Sequence, residues 1–198
     1  MNIKNRGGLA SVFVAAVCSF LMLAQPAQAA VTQSTAPAGS SSYWYGNGWA
    51  WQSLGSVTLG SPTVQVLSLD STVTLVDQGW GGQSNTNGVL IGLYDGATSL
   101  WGQYVAGAQH SWTTQNYSAS VGDLANLNLA LAGVNWLTTP GVTLQMWATP
   151  WAYPGWELHT TNASFSVTSV VPEPASLALL GLGLAGLAFT RRRKQQAA

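Results

Sequence analysis

The chain has 198 residues, which is room for one domain of ordinary size together with targeting segments. Only 6% of its residues are charged, against about 25% in a typical soluble protein. All six Lys and Arg stand near the two ends, so the stretch 30–171 has a net charge of −5 with His neutral. Such a body has no basic surface to neutralise phosphates, which argues strongly against nucleic-acid binding. The single Cys, Cys18, lies outside this body, so the body contains no disulfide, no Cys nucleophile and no thiolate metal site.

The N-terminus has the pattern of a secretory signal peptide. Lys4 and Arg6 make a positive start, an apolar stretch follows, and Ala27 and Ala29 are the small residues that signal peptidase requires at −3 and −1. We therefore predict a signal peptide at 1–29, cleaved after Ala29. The alternative is an uncleaved membrane anchor, which is less favoured because a span needs about 20 apolar residues.

The segment after the cleavage site, 30–42, is rich in Ser, Thr, Ala and Pro and predicts a flexible leader. From 43 to 170 the pattern is one of short apolar runs and turns rich in Gly and Asn. The segment 124–131 fits a strand or a short helix, and we favour the strand. Strands are predicted, in chain order, at 64–69, 73–76, 89–94 with a hairpin turn at Asp95-Gly96, 100–105, 110–116, 124–131, 142–147 and 163–171.

These elements predict an all-β fold. Eight to ten short strands without a long helical period indicate an antiparallel, jelly-roll-like β-sandwich over residues 43–170. About 128 residues are enough to bury a sizeable core. The sandwich is thus expected between an N-terminal signal peptide and a C-terminal transmembrane helix.

The C-terminus has three parts in succession. Pro172-Glu173-Pro174 comes first, the apolar run 175–190 follows, and Arg191-Arg192-Arg193-Lys194 is the basic end. The apolar run makes a helix of about 24 Å, short for a hydrocarbon core of ~30 Å but workable with local thinning of the bilayer. The positive-inside rule keeps the basic end in the cytoplasm and places the body outside the inner membrane.

This succession resembles the PEP-CTERM sorting signal of Gram-negative bacteria, with 171–198 as the sorting segment. The resemblance implies transient recognition by an exosortase, a membrane-embedded cysteine transpeptidase-like enzyme. It implies removal of the tail near Pro172-Glu173-Pro174 and delivery of the body to the cell surface or the extracellular matrix. A plain C-terminal anchor is the alternative, but it has no need of Pro-Glu-Pro. The implied sorting residues are Pro172, Glu173, Pro174, Arg191, Arg192 and Arg193.

All ten Trp lie in the body, mostly in two clusters at 43–51 and 147–157. The second cluster contains two Pro and one Gly, which predicts a loop. An exposed indole ring offers an apolar face that suits the C–H groups of a sugar ring, and the low charge suits neutral sugars. The alternative is that these rings cap the ends of the sandwich. The candidate glycan contacts are Trp147, Trp151, Tyr153 and Trp156.

Groups for catalysis and metal binding are few. His110 and His159 lack a metal-ligand spacing, so each is expected to be an exposed strand or loop residue. No Ser stands beside a plausible base, and no spacing of acids indicates the carboxyl pair of a glycosidase. We predict no catalytic residue, no metal site and no cofactor. Calcium at Asp77, Asp95 or Asp123 stays open, although Asp is also an ordinary turn residue.

The sequence therefore predicts an exported, non-enzymatic surface or matrix protein that is an exosortase substrate. We expect it to associate with exopolysaccharide in a biofilm matrix and to contact the inner membrane only transiently, through 175–190. The alternative is a carbohydrate-binding module that uses the Trp-rich loops, with a glycoside hydrolase as a further alternative.

Overall fold

The computed structural model describes residues 28–44, 51–60, 63, 65–78, 87–150 and 156–172, together with Gly181 and Gly183. The chain divides into two compact units, the body at 30–171 and a unit made of the two ends. The described elements are β1 (Gln28–Ser34), β2 (Ser41–Trp44), β3 (Gln52–Gly60), β4 (Gln65–Asp77), β5 (Gly88–Asp95), β6 (Thr98–Gly107), β7 (Thr113–Ser118), α1 (Val121–Ala132), β8 (Gly141–Thr149) and β9 (Glu157–Pro172).

The strands form two sheets. One is five-stranded with the order β1-β9-β4-β7, to which β2 adds by pairing with β9, and the other is four-stranded with the order β3-β8-β5-β6. With β2 set aside, each successive strand changes sheet except across the β5–β6 hairpin, which is the strand order of a jelly roll. The predicted antiparallel β-sandwich is confirmed.

The two sheets pack face to face over an apolar core, and β4 shows how the sequence specifies it. Leu69, Val73 and Leu75 alternate with Asp70 and Thr72, so the apolar side chains point inward and the polar ones outward. Each fully buried aliphatic side chain stabilises the fold by about 1.5–3 kcal/mol. The largest fully buried side chains include Leu59, Ile91, Leu93, Leu144, Met146 and Leu158.

The segment 124–131, predicted as a strand, forms the helix α1, so that prediction is wrong. The start is fixed by a capping box: the Ser120 hydroxyl accepts from the Asp123 backbone N–H at 3.1 Å, and the Asp123 carboxylate accepts from the Ser120 backbone N–H at 3.0 Å. Leu127 and Leu131, one turn apart, are buried against the sheets. The alternation of Leu and Asn has the period of a strand, whereas the cap and the Ala residues favour the helix.

Two side-chain amides cover sheet edges that would otherwise leave backbone groups unpaired. In α1, Asn128 accepts from Val66 N–H at 2.7 Å and donates to Val66 C=O at 3.0 Å. These are the two hydrogen bonds that a neighbouring strand would otherwise make to the backbone of Val66. Gln115 of β7 does the same for Gly107 of β6, at 3.3 Å and 2.5 Å. The Gln115 contact joins β7 and β6, which belong to different sheets, and both contacts block edge-to-edge association at these positions.

The segment 30–42 was predicted to be a flexible leader, but most of it is ordered on the five-stranded sheet. Residues of β1 and β2 pair with β9, and between the strands Thr35 N–H donates to Phe165 C=O at 3.0 Å and Ala38 N–H to Ala163 C=O at 2.8 Å. Short Ser and Thr side chains on an exposed edge strand carry no apolar alternation. The segment 30–42 therefore has the composition of a linker, although most of its backbone is hydrogen-bonded to β9.

Of the other strands, β3 was not predicted, and the rest follow the prediction with shifted ends. The hairpin at Asp95-Gly96 is confirmed, with Gly96 at φ +58° in the left-handed conformation that the turn requires. The described part of the first run, 65–69, and the run 73–76 belong to one strand, β4, because Asp70-Ser71 continues the ladder instead of turning. The predicted signal peptide up to residue 27 and the apolar run 175–190 (apart from Gly181 and Gly183) lie outside the described residues. Within the described part of the chain, no helix has the length and apolarity to cross a membrane.

Candidate functional site

Large aromatic side chains gather on the outer face of the four-stranded sheet. The rings of Trp51 and Trp147 lie with centroids 6.3 Å apart, and those of Tyr94 and Trp147 lie 6.1 Å apart, edge to face. Tyr104 adds a ring that is 57% exposed, and Trp51 is 38% exposed. We call this set, with Leu90 between them, the aromatic face.

The alternation of β5 and β8 places these rings outside. On β5 the side chains of Val89, Ile91 and Leu93 point into the core, so Leu90 and Tyr94 point out. On β8, Trp147 stands between two buried core residues and faces outward beside Leu90, its partner on β5. Leu90 also pairs with Tyr104 on β6, so three neighbouring strands supply one continuous surface.

A bare stretch of backbone lets the Tyr94 ring lie close to the sheet. Gly92 on β5 and Gly102 on β6 are paired, so neither strand contributes a side chain to the outer face at this point. A Cβ atom on Gly92 would come within 2.6 Å of the Tyr94 ring. Burial raises the pKa of Tyr94 above its ordinary value of 10.0, so its hydroxyl stays protonated at neutral pH.

Uncharged polar side chains border the aromatic face on the side of β3 and β8. Gln145 Nε2 donates to Ser53 Oγ at 2.8 Å, which fixes the position of the amide. Thr143 lies two residues along β8 and pairs with Thr58 on β3. Since the body contains neither Lys nor Arg, a ligand here meets apolar rings beside hydroxyl and amide groups. This combination suits neutral, hydroxyl-rich molecules.

The structure brings only part of the predicted glycan contacts to this face. Trp147 lies on it, but on the strand β8 and not in a loop. Trp156 is 7% exposed, which leaves little of its ring available to a sugar. Trp151 and Tyr153 lie outside the described residues. The prediction missed Tyr94 and Tyr104, whose place on the face depends on the sheet order.

A second cluster joins residues that the sequence keeps apart. Ser42 and His159 are partners on β2 and β9, with Ser42 Oγ at 2.7 Å from His159 Nδ1, and His159 Nε2 lies 3.2 Å from Glu157 Oε2. The expectation that no Ser stands beside a base is therefore wrong. However, Ser42 lies inside a strand that is paired along its length, and not at the sharp turn that presents a catalytic nucleophile.

The other His also has a partner. His110 Nδ1 lies 2.5 Å from Oδ1 of Asp77, whose side chain is wholly buried, while that of His110 is 35% exposed. The expectation that His110 is an exposed strand or loop residue is therefore only partly met. This contact ties the segment before β7 to the end of β4.

The three Asp residues considered for calcium lie on separate elements. Asp77 contacts His110, Asp95 accepts from Thr139 Oγ1 at 3.1 Å, and Asp123 belongs to the capping box of α1. Across the described ranges, no group of three or more His, Cys, Asp or Glu side chains is placed to hold a metal ion.

The last residues of β9 begin a known sorting signal. Residues 170–194 match the PEP-CTERM protein-sorting motif. The chain is therefore a PEP-CTERM motif-containing protein. The motif implies that this PEP-CTERM protein is processed by an exosortase and exported through the membrane to the cell surface. Of its sorting residues, Pro172 ends β9, whereas Glu173, Pro174 and Arg191–Arg193 lie outside the described residues.

No curated protein matches this PEP-CTERM protein significantly. Among solved structures it is similar to the VP2 subviral particle of infectious bursal disease virus, with 14% identity and a TM-score of 0.39, covering 71% of this chain and 32% of that one. It is also similar to the structure of the Gx strain of that virus, with 14% identity and a TM-score of 0.36, covering 74% and 32%. The PEP-CTERM protein thus spans about a third of those viral chains.

Proposed function

We propose that this PEP-CTERM protein is a non-enzymatic surface or matrix protein whose β-sandwich binds neutral polysaccharide through the aromatic face. The observation that carries the proposal is the contiguous, uncharged set of rings formed by Trp51, Trp147 and Tyr94 on the outside of the four-stranded sheet. Trp51 is exposed and Trp147 and Tyr94 are half-buried, so together they present a contiguous apolar patch to solvent, and such patches mark interaction sites.

Sorting explains how this face reaches a polysaccharide. In this proposal the signal peptide 1–29 starts export, and the run 175–190 holds the chain in the inner membrane with the basic end inside. The exosortase then removes the tail near Pro172-Glu173-Pro174. The released sandwich carries no membrane segment and associates with the exopolysaccharide of a biofilm.

The chemistry of the face selects neutral polymers. A sugar ring lays its C–H groups on the indole or phenol faces, and its hydroxyls reach Gln145, Ser53 and Thr143 at the border. A polymer rich in carboxylates meets no cation, because the body has neither Lys nor Arg, and it is repelled by a body of net charge −5. Uronic-acid polymers are therefore expected to bind far more weakly.

The non-enzymatic part of the proposal rests on how Ser42 is held. A serine hydrolase needs a nucleophile beside backbone N–H groups that stabilise the oxyanion. Ser42 instead sits within the paired strand β2, where its hydroxyl bonds to His159 as one cross-strand contact among several hydroxyl contacts on this sheet. We infer that the contacts of Ser42 with His159 and of His159 with Glu157 have a structural role, which is to hold β2 against β9.

Affinity electrophoresis of the purified full chain tests this function. Native gels are cast with β-glucan, α-glucan, galactomannan, xylan or polygalacturonate, and retardation gives the affinity for each polymer. We expect retardation by at least one neutral polymer and none by polygalacturonate. Trp147→Ala should weaken the affinity about tenfold, or about 1.4 kcal/mol. Leu137→Ala is the control and should leave the affinity unchanged, because Leu137 is 97% exposed and lies outside the aromatic face. Unretarded wild-type protein on every neutral gel would contradict the proposal.

A further inference from the structure

A hollow of about 260 Å³ opens on the outer face of the five-stranded sheet, which is the side of the sandwich opposite the aromatic face. Its floor is made by the adjacent strands β7, β4 and β9. The strand register sets six polar side chains of its lining in two rows, Ser118–Asp70–Ser166 and Asn116–Thr72–Ser164.

The hydrogen-bonding groups of the hollow are complementary to a pair of hydroxyls. Thr72 Oγ1 donates to Asn116 Oδ1 at 2.8 Å, so the amide N–H₂ group of Asn116 is turned away from this bond and can donate to a ligand. In the neighbouring row, the Asp70 carboxylate can only accept. The two rows lie two residues apart along the strands, which is about 7 Å. One small molecule can therefore accept from Asn116 and donate to Asp70 at the same time.

The size and charge of the hollow limit the ligand further. Its volume lies below the ~300–1,000 Å³ of pockets for drug-sized ligands, so it holds a single small unit. Among the described residues that line the hollow, Asp70 alone is charged, which disfavours an anionic ligand. A neutral sugar unit, with several neighbouring hydroxyls, meets both conditions.

An exposed aromatic ring lies toward one end of the same sheet face. Trp112, the residue before β7, is 55% exposed, and its ring centroid is 6.3 Å from that of His159. Along β7, Thr114 lies between Trp112 and Asn116, and its hydroxyl pairs with that of Thr74 at 2.8 Å. A polymer that places one unit in the hollow can therefore continue across hydroxyl groups toward an indole ring.

We propose that this hollow is a second saccharide site, so that one domain binds polymer on two opposite faces and bridges two polymer segments. The inference rests on the proposed function, because it assumes that the first segment binds to the aromatic face. The two sites differ in chemistry: rings dominate the first, and hydrogen bonds from Asp70 and Asn116 dominate the second.

Bridging is measured by light scattering of the full chain mixed with the soluble neutral polysaccharide that binds best, while affinity electrophoresis measures binding alone. The aromatic variant carries Trp51→Ala and Trp147→Ala, and the hollow variant carries Asp70→Ala and Asn116→Ala. Thr168→Ala, on the same outer face but outside the hollow, is the matched control. Thermal unfolding establishes that each variant is folded.

We expect wild type and the control to enlarge the polymer particles, with scattering falling again at excess protein as the sites saturate separately. Each double variant should still be retarded on the gel but should lose the scattering increase. The inference is overturned if the hollow variant bridges like wild type, or if the aromatic variant no longer binds at all while wild type does. Wild-type protein that binds no polymer refutes the proposed function itself and the second site with it.

Discussion

The ring of Tyr94 lies over Gly92, two residues earlier on the same strand. A Cβ on Gly92 would come within 2.6 Å of the ring atom Cε2 and of the hydroxyl oxygen Oη of Tyr94, which requires a shift of one or the other. The partner glycine on β6, Gly102, is different, because a Cβ there would meet Leu90 at 3.7 Å, an ordinary contact. The flatness of the aromatic face therefore depends on one of two paired glycines.

Gly92→Ala should displace the Tyr94 ring and weaken polysaccharide binding. Overpacking of this kind costs about 1–3 kcal/mol, part of which appears as a lower Tm. Gly102→Ala is the matched control and should leave both affinity and Tm close to wild type. Affinity electrophoresis and thermal unfolding of the two variants provide the comparison. Equal effects of the two substitutions would show that the Tyr94 ring is not held in this way.

His110→Ala should destabilise the fold, because it removes a hydrogen-bonding partner from the wholly buried carboxylate of Asp77. Loss of a partner at a buried polar group costs about 1–3 kcal/mol. His159→Ala is the comparison, since His159 is similarly exposed but its partner Ser42 lies at the surface. Urea unfolding should show a lower midpoint for His110→Ala than for His159→Ala. The double change Asp77→Asn with His110→Ala should recover part of the loss.

Asn128→Ala should destabilise the edge where α1 meets β4. It leaves Val66 N–H and C=O without the amide that now bonds to both, at 2.7 Å and 3.0 Å. The expected loss is about 1–3 kcal/mol. Asn126→Ala on the exposed side of α1 controls for the change in helix propensity and should be close to neutral. Denaturant unfolding of both variants tests the assignment, and a neutral Asn128→Ala would refute it.

The capping box of α1 should make stability depend on pH. Hydrogen bonds from Ser120 hold the pKa of Asp123 below its ordinary value of 3.8. Because the folded pKa is lowered, the stabilisation is present above pH 3.8 and is lost as the pH falls through the folded value. Ser120→Ala should lower Tm by about 4 °C at pH 7, and this difference should shrink at low pH. Ser99→Ala, at an exposed position of β6, should show no such trend.

If the protein is not an enzyme, Ser42 should not react as an activated nucleophile. A fluorophosphonate probe, which phosphonylates activated serines, should label the full chain no faster than the Ser42→Ala variant. Ser40, whose hydroxyl bonds to Thr161 at 3.1 Å, provides the matched control through Ser40→Ala. Labelling that is lost in Ser42→Ala alone would instead indicate that the Ser42–His159–Glu157 chain activates the serine.

The sequence predicted those parts of the fold that depend on local alternation. The runs 89–94 and 142–147 are strands whose inward residues form the core, and the Asp95-Gly96 turn joins β5 to β6 as expected. The helix α1 was not predicted, because Leu and Asn alternate over a few residues as they do in a strand, whereas the capping box of Ser120 and Asp123 starts a helix there.

The functional surfaces were harder to predict because they depend on sheet order. Trp147 was selected from its cluster, but Tyr94 joins it only because β5 lies beside β8 in the four-stranded sheet. In the same way, Asp70 and Asn116 lie at one hollow because β4 pairs with β7. No spacing within one segment contains this information. The sorting motif, by contrast, is continuous in sequence and could be identified directly.

The central claim is that Trp147 and its neighbouring rings contact a neutral saccharide, and a fluorescence titration tests it most directly. A soluble oligosaccharide of the polymer that binds best is added to the full chain, to Trp147→Phe and to Trp147→Ala, while Trp emission is followed. We predict a saturable change in wild type, one of similar midpoint in Trp147→Phe, which keeps an aromatic ring, and a midpoint about tenfold higher in Trp147→Ala. Identical midpoints for Trp147→Ala and wild type would contradict the account.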